Sequence, residues 1–201
     1  MPDTRCILIG VKDSGEYCKM DTGIKIVELG RECKGTRLLF RYTSRYYYQA
    51  CTVDGPSVAF GVVFRKMPLA SPVDKEFTGS LLEDHLDKPR VFCAESATGR
   101  IGYVEVNHET WNNRVRVTNL WVEDLHRRNG VGGLLMRTAR QIALGANARA
   151  LILETQSCNY PAISFYLANG FSFTGCDLTA YGNDDIEKDE VRLELFMPLQ
   201  A

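Results

Sequence analysis

The stretch Leu120-Trp121-Val122-Glu123-Asp124-Leu125-His126-Arg127-Arg128-Asn129-Gly130-Val131-Gly132-Gly133-Leu134-Leu135-Met136 decides the fold. An apolar, strand-like run leads into a glycine-rich turn, and helical spacing begins directly after it. Gly130, Gly132 and Gly133 leave the backbone N–H groups of the turn uncovered. Several can then point at one anion while the first helical turn adds its positive dipole end. Arg127 and Arg128 bring cationic charge to the same place. No Lys-Ser/Thr pair follows the glycines and the spacing is not G-x-G-x-x-G, so neither a Walker loop nor a dinucleotide fingerprint is present. The turn reads as a cradle for a different pyrophosphate, although R-x-x-G-x-G alone also fits a loop that merely ends in glycines.

A second segment supplies the ligand. Leu151-Ile152-Leu153-Glu154-Thr155-Gln156 reads as a strand, and Asn159-Tyr160-Pro161-Ala162-Ile163-Ser164-Phe165-Tyr166-Leu167-Ala168-Asn169-Gly170-Phe171 as a short helix. Pro161 suits its first turn and Gly170 its C-terminus. The two segments together resemble the GNAT-type acyl-CoA-dependent N-acyltransferases. Arg127, Gly130 and Gly132 match that family's R/Q-x-x-G-x-G/A turn, and Asn159, Ala162, Tyr166, Gly170 and Phe171 match its N-x-x-A-x-x-x-Y-x-x-x-G-F run. Within the superfamily, Leu153-Glu154-Thr155-Gln156 and the closing strand Val191-Arg192-Leu193-Glu194-Leu195 look most like the streptothricin acetyltransferase group. The resemblance covers residues 90–198 well and fades towards the N-terminus.

The chain has 201 residues, of which 45% are hydrophobic and 24% charged, and this accommodates one domain over 1–201 with a full core. Residues 1–36 have mixed signals, apart from a strand at Ile24–Leu29. Leu38–Val53 and Val58–Met67, around Asp54-Gly55-Pro56, read as a hairpin. Tyr46-Tyr47-Tyr48 places aromatics on both of its faces, chiefly for sheet packing. Phe77, Leu81, Leu82 and Leu86 space as a helix over 74–86, interrupted by Gly79. Strands follow at Val91–Glu95, Ile101–Asn107 and Arg114–Val122. A helix carries the stripe Val131, Leu134, Leu135, Thr138 and Ile142 and ends near Gly145-Ala146-Asn147. Strands at 150–156, 171–177 and 191–197 complete an α/β chain of the α+β type, with a mixed, mostly antiparallel sheet flanked by helices. That order is the one the resemblance implies.

The formal net charge is -1, which gives no electrostatic footprint for nucleic acid, and no apolar run reaches membrane-spanning length. A cytoplasmic protein is expected. Seven cysteines without a C-x-x-C pair read as reduced structural thiols, with neither a disulfide framework nor a metal site.

The resemblance implies acetyl-CoA as cosubstrate, no metal, and a small amine as acceptor, in a monomer or homodimer. It implies cofactor contacts from Leu120, Trp121 and Val122, then Arg127, Arg128, Asn129, Gly130, Val131, Gly132 and Gly133, and from Asn159, which also fits a helix N-cap. Tyr166 matches the proton donor to the leaving thiolate. A phenol, with a pKa of about 10, holds its proton near neutral pH and can deliver it to sulfur. Direct transfer also needs a base, because an alkylammonium with a pKa of about 10.4 must lose a proton before it attacks. Streptothricin acetyltransferase-like chains carry an acidic pair on the strand before the glycine turn, where this chain has Thr118-Asn119. Glu154, Glu105 and Glu109 are the alternative carboxylates, Glu154 being preferred for its place in the Leu-Glu-Thr-Gln stretch. Asn119 could orient a water or the substrate amide. The acidic tract Asp184, Asp185, Glu187, Asp189 and Glu190 reads chiefly as a solvated loop. The expected activity is N-acetylation of a small amine, possible acceptors including a streptothricin-like antibiotic. A protein or peptide amine is the alternative acceptor, and an acyl-CoA-binding module without catalysis the alternative class.

Overall fold

The computed structural model describes residues 16–17, 23–54 and 60–199. Its strands are β1 (Glu16–Tyr17), β2 (Lys25–Leu29), β3 (Arg37–Asp54), β4 (Phe60–Ser80), β5 (Pro89–Ser96), β6 (Gly99–Glu109), β7 (Arg114–Val122), β8 (Ala150–Gln156), β9 (Ser172–Asp177) and β10 (Arg192–Pro198). Helix α1 (Val131–Gly145) joins β7 to β8, and α2 (Tyr160–Ala168) joins β8 to β9. Eight strands form one sheet in the order β1-β2-β5-β6-β7-β8-β10-β9, and β3 with β4 forms a separate two-stranded ribbon. Among the described residues only β7 and β8 pair in parallel, as the α1 crossover between them requires. Gly55 and Pro56 of the expected hairpin turn lie outside the described residues.

The stripe read on α1 is the one the fold buries. Val131, Leu134, Leu135 and Thr138 face the sheet, where they meet Phe92, Ala94, Ile101, Val104 and Val106 of β5 and β6. Leu135 is fully buried at that contact, so Leu135→Ala is expected to lower stability by about 2–5 kcal/mol, measured as a shift of the urea midpoint.

The helix expected over 74–86 is not formed. Asp74–Ser80 continues β4 in register with Arg37–Thr43 of β3, and the Phe40 and Phe77 rings stack with centroids 4.7 Å apart. The spacing of Phe77, Leu81, Leu82 and Leu86 mimics a helical stripe because the strand ends at Ser80. Leu81 and Leu82 then turn under the sheet into a second apolar cluster with Cys33, Leu38, Val91 and Trp121. Gly79 is a close-approach position in the strand: a Cβ there would lie 3.2 Å from Asn119 Oδ1 and 3.3 Å from the Phe40 ring. Leu82 adopts φ 57, left-handed backbone that costs a branched side chain free energy.

The ribbon lies across the face of the sheet opposite α1. Trp121 Nε1 donates to Leu39 O at 2.8 Å, and Tyr48 N donates to Ser157 O at 2.9 Å. Near its far end Ala50 packs with Ile163 of α2 and with Val191 and Leu193.

Candidate active site

The β7–β8 ladder runs only from Arg114↔Ala150 to Arg116↔Ile152. Beyond it β7 stays laddered to β6 and β8 to β10, so the sheet parts between residues 117–122 and 153–156. A bulge marks the point of divergence. Glu105 pairs with Asn119 and Val106 with Val117, which leaves Thr118 as the extra residue on β7. On the α1 side of this opening Leu120 and Val122 pack against the main core, while Trp121 points to the ribbon side and lies against Tyr103.

The glycine turn follows directly. Arg128 has φ 62 and Gly130 φ 83, so the chain passes twice through left-handed backbone before α1 begins. No side chain among the described residues caps that helix, and its first internal bond is Leu134 N to Gly130 O at 3.0 Å. The N–H groups of Val131, Gly132 and Gly133 are therefore the helix's unpaired first-turn donors, with Arg128 and Asn129 exposed beside them. Arg127 is used differently. Its guanidinium donates to Val122 O at 3.1 Å and to Arg41 O, and pairs with Asp124 at 2.8 Å, clamping the turn to β7 and to the ribbon.

Helix α2 closes on the turn. A Cβ at Gly132 would lie 3.4 Å from the Phe165 ring and 3.9 Å from Val122 Cγ2. Asn159 Oδ1 accepts Ala162 N at 3.2 Å, which makes it the N-cap of α2. Tyr166, next to Phe165, packs edge-on against Phe165 and Phe171, and burial pushes its phenol up to about 12. No residue among those described hydrogen-bonds its hydroxyl.

The three candidate carboxylates have different surroundings. Glu154 is 43% exposed and lies on the face opposite α1, 2.7 Å from Arg192 and 3.8 Å from Arg116. Its cross-strand neighbour is Glu194, and Arg192 bridges the two like charges. Glu109 takes Arg116 at 2.6 Å and Arg114 at 3.1 Å; burial alone would raise its carboxyl, but these hydrogen bonds and charges hold it below the ordinary range.

Glu105 is fully buried. Its Oε1 accepts Leu82 N at 2.6 Å, and its Oε2 accepts Thr118 Oγ1 at 2.6 Å and Asn119 Nδ2 at 2.7 Å. The Thr118-Asn119 pair thus converges on a carboxylate of the neighbouring strand. Beneath the bulge lies a cavity of about 160 Å³ lined by Glu83, His85, Leu86, Glu105, Thr118 and Asn119. Glu83 and His85 are absent from the site as read from sequence, because no motif surrounds either of them. The signal that points to them is the run of polar residues directly after Leu82. A wider hollow of about 350 Å³ opens at the β9–β10 edge, and none of the glycine turn, Tyr166 or Glu105 lines it.

The acidic tract is more structural than expected. Asp185 is buried and accepts Tyr181 N at 2.9 Å, Asp184 pairs with Lys188 at 2.7 Å, and Glu190 pairs with Lys75. Among the described residues no group of His, Cys, Asp and Glu could hold a metal ion, and no helix is long and apolar enough to cross a membrane.

Comparison with known proteins agrees with this geometry. Residues 63–171 match the acetyltransferase (GNAT) family. The chain is 35% identical over 129 residues to a streptothricin acetyltransferase of Streptomyces lavendulae, which spans 60% of this chain and 68% of that one. The crystal structure of a nourseothricin acetyltransferase superposes with a TM-score of 0.70 at 28% identity, covering 89% of this chain and 100% of the other. A Bacillus anthracis protein described as a streptothricin acetyltransferase, in complex with acetyl coenzyme A, shares the fold with a TM-score of 0.63 at 20% identity, over 89% of this chain and 99% of the other. With a parted β7–β8 pair, an uncapped glycine turn and a family match over both, the chain belongs to the acetyltransferase (GNAT) family and is an N-acetyltransferase.

Proposed function

We propose that this N-acetyltransferase carries the acetyl group of acetyl-CoA to a primary amine of a small, cationic acceptor of the streptothricin kind. One observation supports the reading above the others: the sheet parts between β7 and β8 where the unpaired donors of α1 and the Phe165–Tyr166 pair of α2 come together.

The first-turn N–H groups of Val131, Gly132 and Gly133 suit a pyrophosphate, and Arg128 and Asn129 border it. Gly132 keeps the approach clear, since a side chain there would meet Phe165 and Val122. Leu120 and Val122 offer strand backbone to the pantetheine arm, and Trp121 fixes their orientation through its bond to Leu39 O. Arg127 acts as the clamp on this turn, and Asn159 holds the start of α2. Acetyl-CoA supplies an activated thioester. Tyr166, its proton secured by burial, gives that proton to the departing sulfur.

The acceptor class rests on the streptothricin and nourseothricin acetyltransferases among the chain's relatives and on the carboxylates Glu83 and Glu105 around the cavity. The test is thiol release from acetyl-CoA by the purified chain, recorded before and after addition of streptothricin. The rate is expected to rise sharply on addition. A rate that stays at the amine-free baseline removes this acceptor and turns the assay to peptide amines.

A further inference from the structure

We propose that the Thr118 hydroxyl meets the acceptor's amino group in the cavity beneath the β7 bulge and relays its proton to Glu105 behind it. The inference deepens the transfer reading above and rests on it.

The charge balance around the cavity is the starting point. Glu109, Glu154, Glu190 and Glu194 are each paired with Arg or Lys. Among the described residues Glu105 has no such pair: its three partners are a backbone N–H, a hydroxyl and an amide. Among the described residues no Lys or Arg lines the cavity, where Glu83 is the second carboxylate and His85 lies 3.3 Å from it. A buried carboxylate lacking a cationic partner is costly, and an ammonium ligand supplies the missing charge.

Access explains the division of labour. Glu105 is fully buried, whereas Thr118 is half-buried and lines the same cavity. The Thr118 hydroxyl gives its hydrogen to Glu105 Oε2 at 2.6 Å, which leaves its oxygen lone pairs free to accept from an amine N–H. Asn119 and the Leu82 N–H fix the carboxylate, and the bulge makes Thr118 the extra residue of β7 at the level where β7 and β8 part. Glu154 is unsuited to the role, because Arg192 and Arg116 already hold it on an exposed face.

The protons balance. The acceptor arrives as an ammonium, and one of its protons passes to Thr118 Oγ1 while the hydroxyl's own proton passes to Glu105 Oε2. The freed nitrogen pair forms the C–N bond at the acetyl carbon; the C–S bond breaks, its pair leaves on sulfur, and sulfur takes the Tyr166 proton. The nitrogen sheds its second proton to solvent as the amide forms. Solvent reprotonates Tyr166 and later takes the proton from Glu105, so that each turnover releases one proton.

The test compares Thr118→Val with Thr118→Ser, using streptothricin and acetyl-CoA as substrates. Relay through a hydroxyl predicts that Thr118→Val lowers kcat about 10- to 100-fold while the KM for acetyl-CoA moves less than about 3-fold, and that Thr118→Ser stays within about 3-fold of wild type. Glu105→Gln can unfold the chain by turning an amide towards the Leu82 N–H, so the Thr118 variants carry the decision. A kcat retained in Thr118→Val, or a Ser variant as impaired as the Val variant, overturns the relay. Wild-type turnover with an unaffected Thr118→Val removes the relay alone; no wild-type turnover removes the acceptor assignment and the relay together.

Discussion

Tyr166→Phe is expected to lower kcat by about 10²- to 10³-fold, the range of a lost general acid. The substitution removes one oxygen and keeps the ring, so the edge contacts to Phe165 and Phe171 survive and the KM for acetyl-CoA should move little. Steady-state thiol release measures both constants, and an unchanged kcat would remove Tyr166 from the chemistry. A second readout separates the phenol from its packing. The folded phenol sits at about 12, above the unfolded value of about 10. Between these values the unfolded chain sheds a proton that the folded chain keeps, so its contribution to stability is complete below pH 10 and is lost as pH rises towards 12. Urea midpoints over that window should fall more steeply in wild type than in Tyr166→Phe.

Gly132→Asp is expected to reduce kcat/KM for acetyl-CoA by about 10³-fold, because two effects add. A carboxylate would face the donors that suit a pyrophosphate, replacing charge-assisted hydrogen bonds with repulsion. Its Cβ would also touch the Phe165 ring at 3.4 Å, an ordinary van der Waals contact, and the carboxylate beyond it would take up space the ligand needs. Gly132→Ala is the control: it makes the same ring contact without the charge and should retain most of the binding. Equilibrium binding of acetyl-CoA reads the difference directly. Equal affinity in Gly132→Asp and wild type would move the cradle elsewhere.

The parts of this molecule that were readable in advance are those where backbone demands dictate residue type. Gly130 sits at φ 83, Asn159 caps a helix and Gly170 takes φ 90 just after it, and each leaves its residue in the chain as a signature. The buried stripe of α1 was readable for a related reason, since helical periodicity is local. Asp74–Ser80 failed the same test because its partner is Arg37–Thr43, more than thirty residues away, and no local pattern reports that pairing. The carboxylates illustrate the limit most sharply. Glu154 stands in a family-like stretch but lies among arginines, whereas Glu105 depends on a bulge at Thr118 and on left-handed backbone at Leu82, neither of which a residue type announces.

Three of the ribbon's hydrogen bonds to the rest of the fold also bear on how the chain reaches this state. Leu39 O meets Trp121, Arg41 O meets Arg127 and Tyr48 N meets Ser157, each contact closing a loop of some eighty residues or more. By contrast, the glycine turn, α1, β8 and α2 are consecutive and assemble through short-range contacts. Because chain entropy must be surrendered before distant contacts repay it, docking of the ribbon belongs late in folding. A chain caught before that step would hold its helices and β8 yet lack the wall that fixes Trp121 and Arg127, and a ligand that binds the docked form more tightly would draw folding to completion.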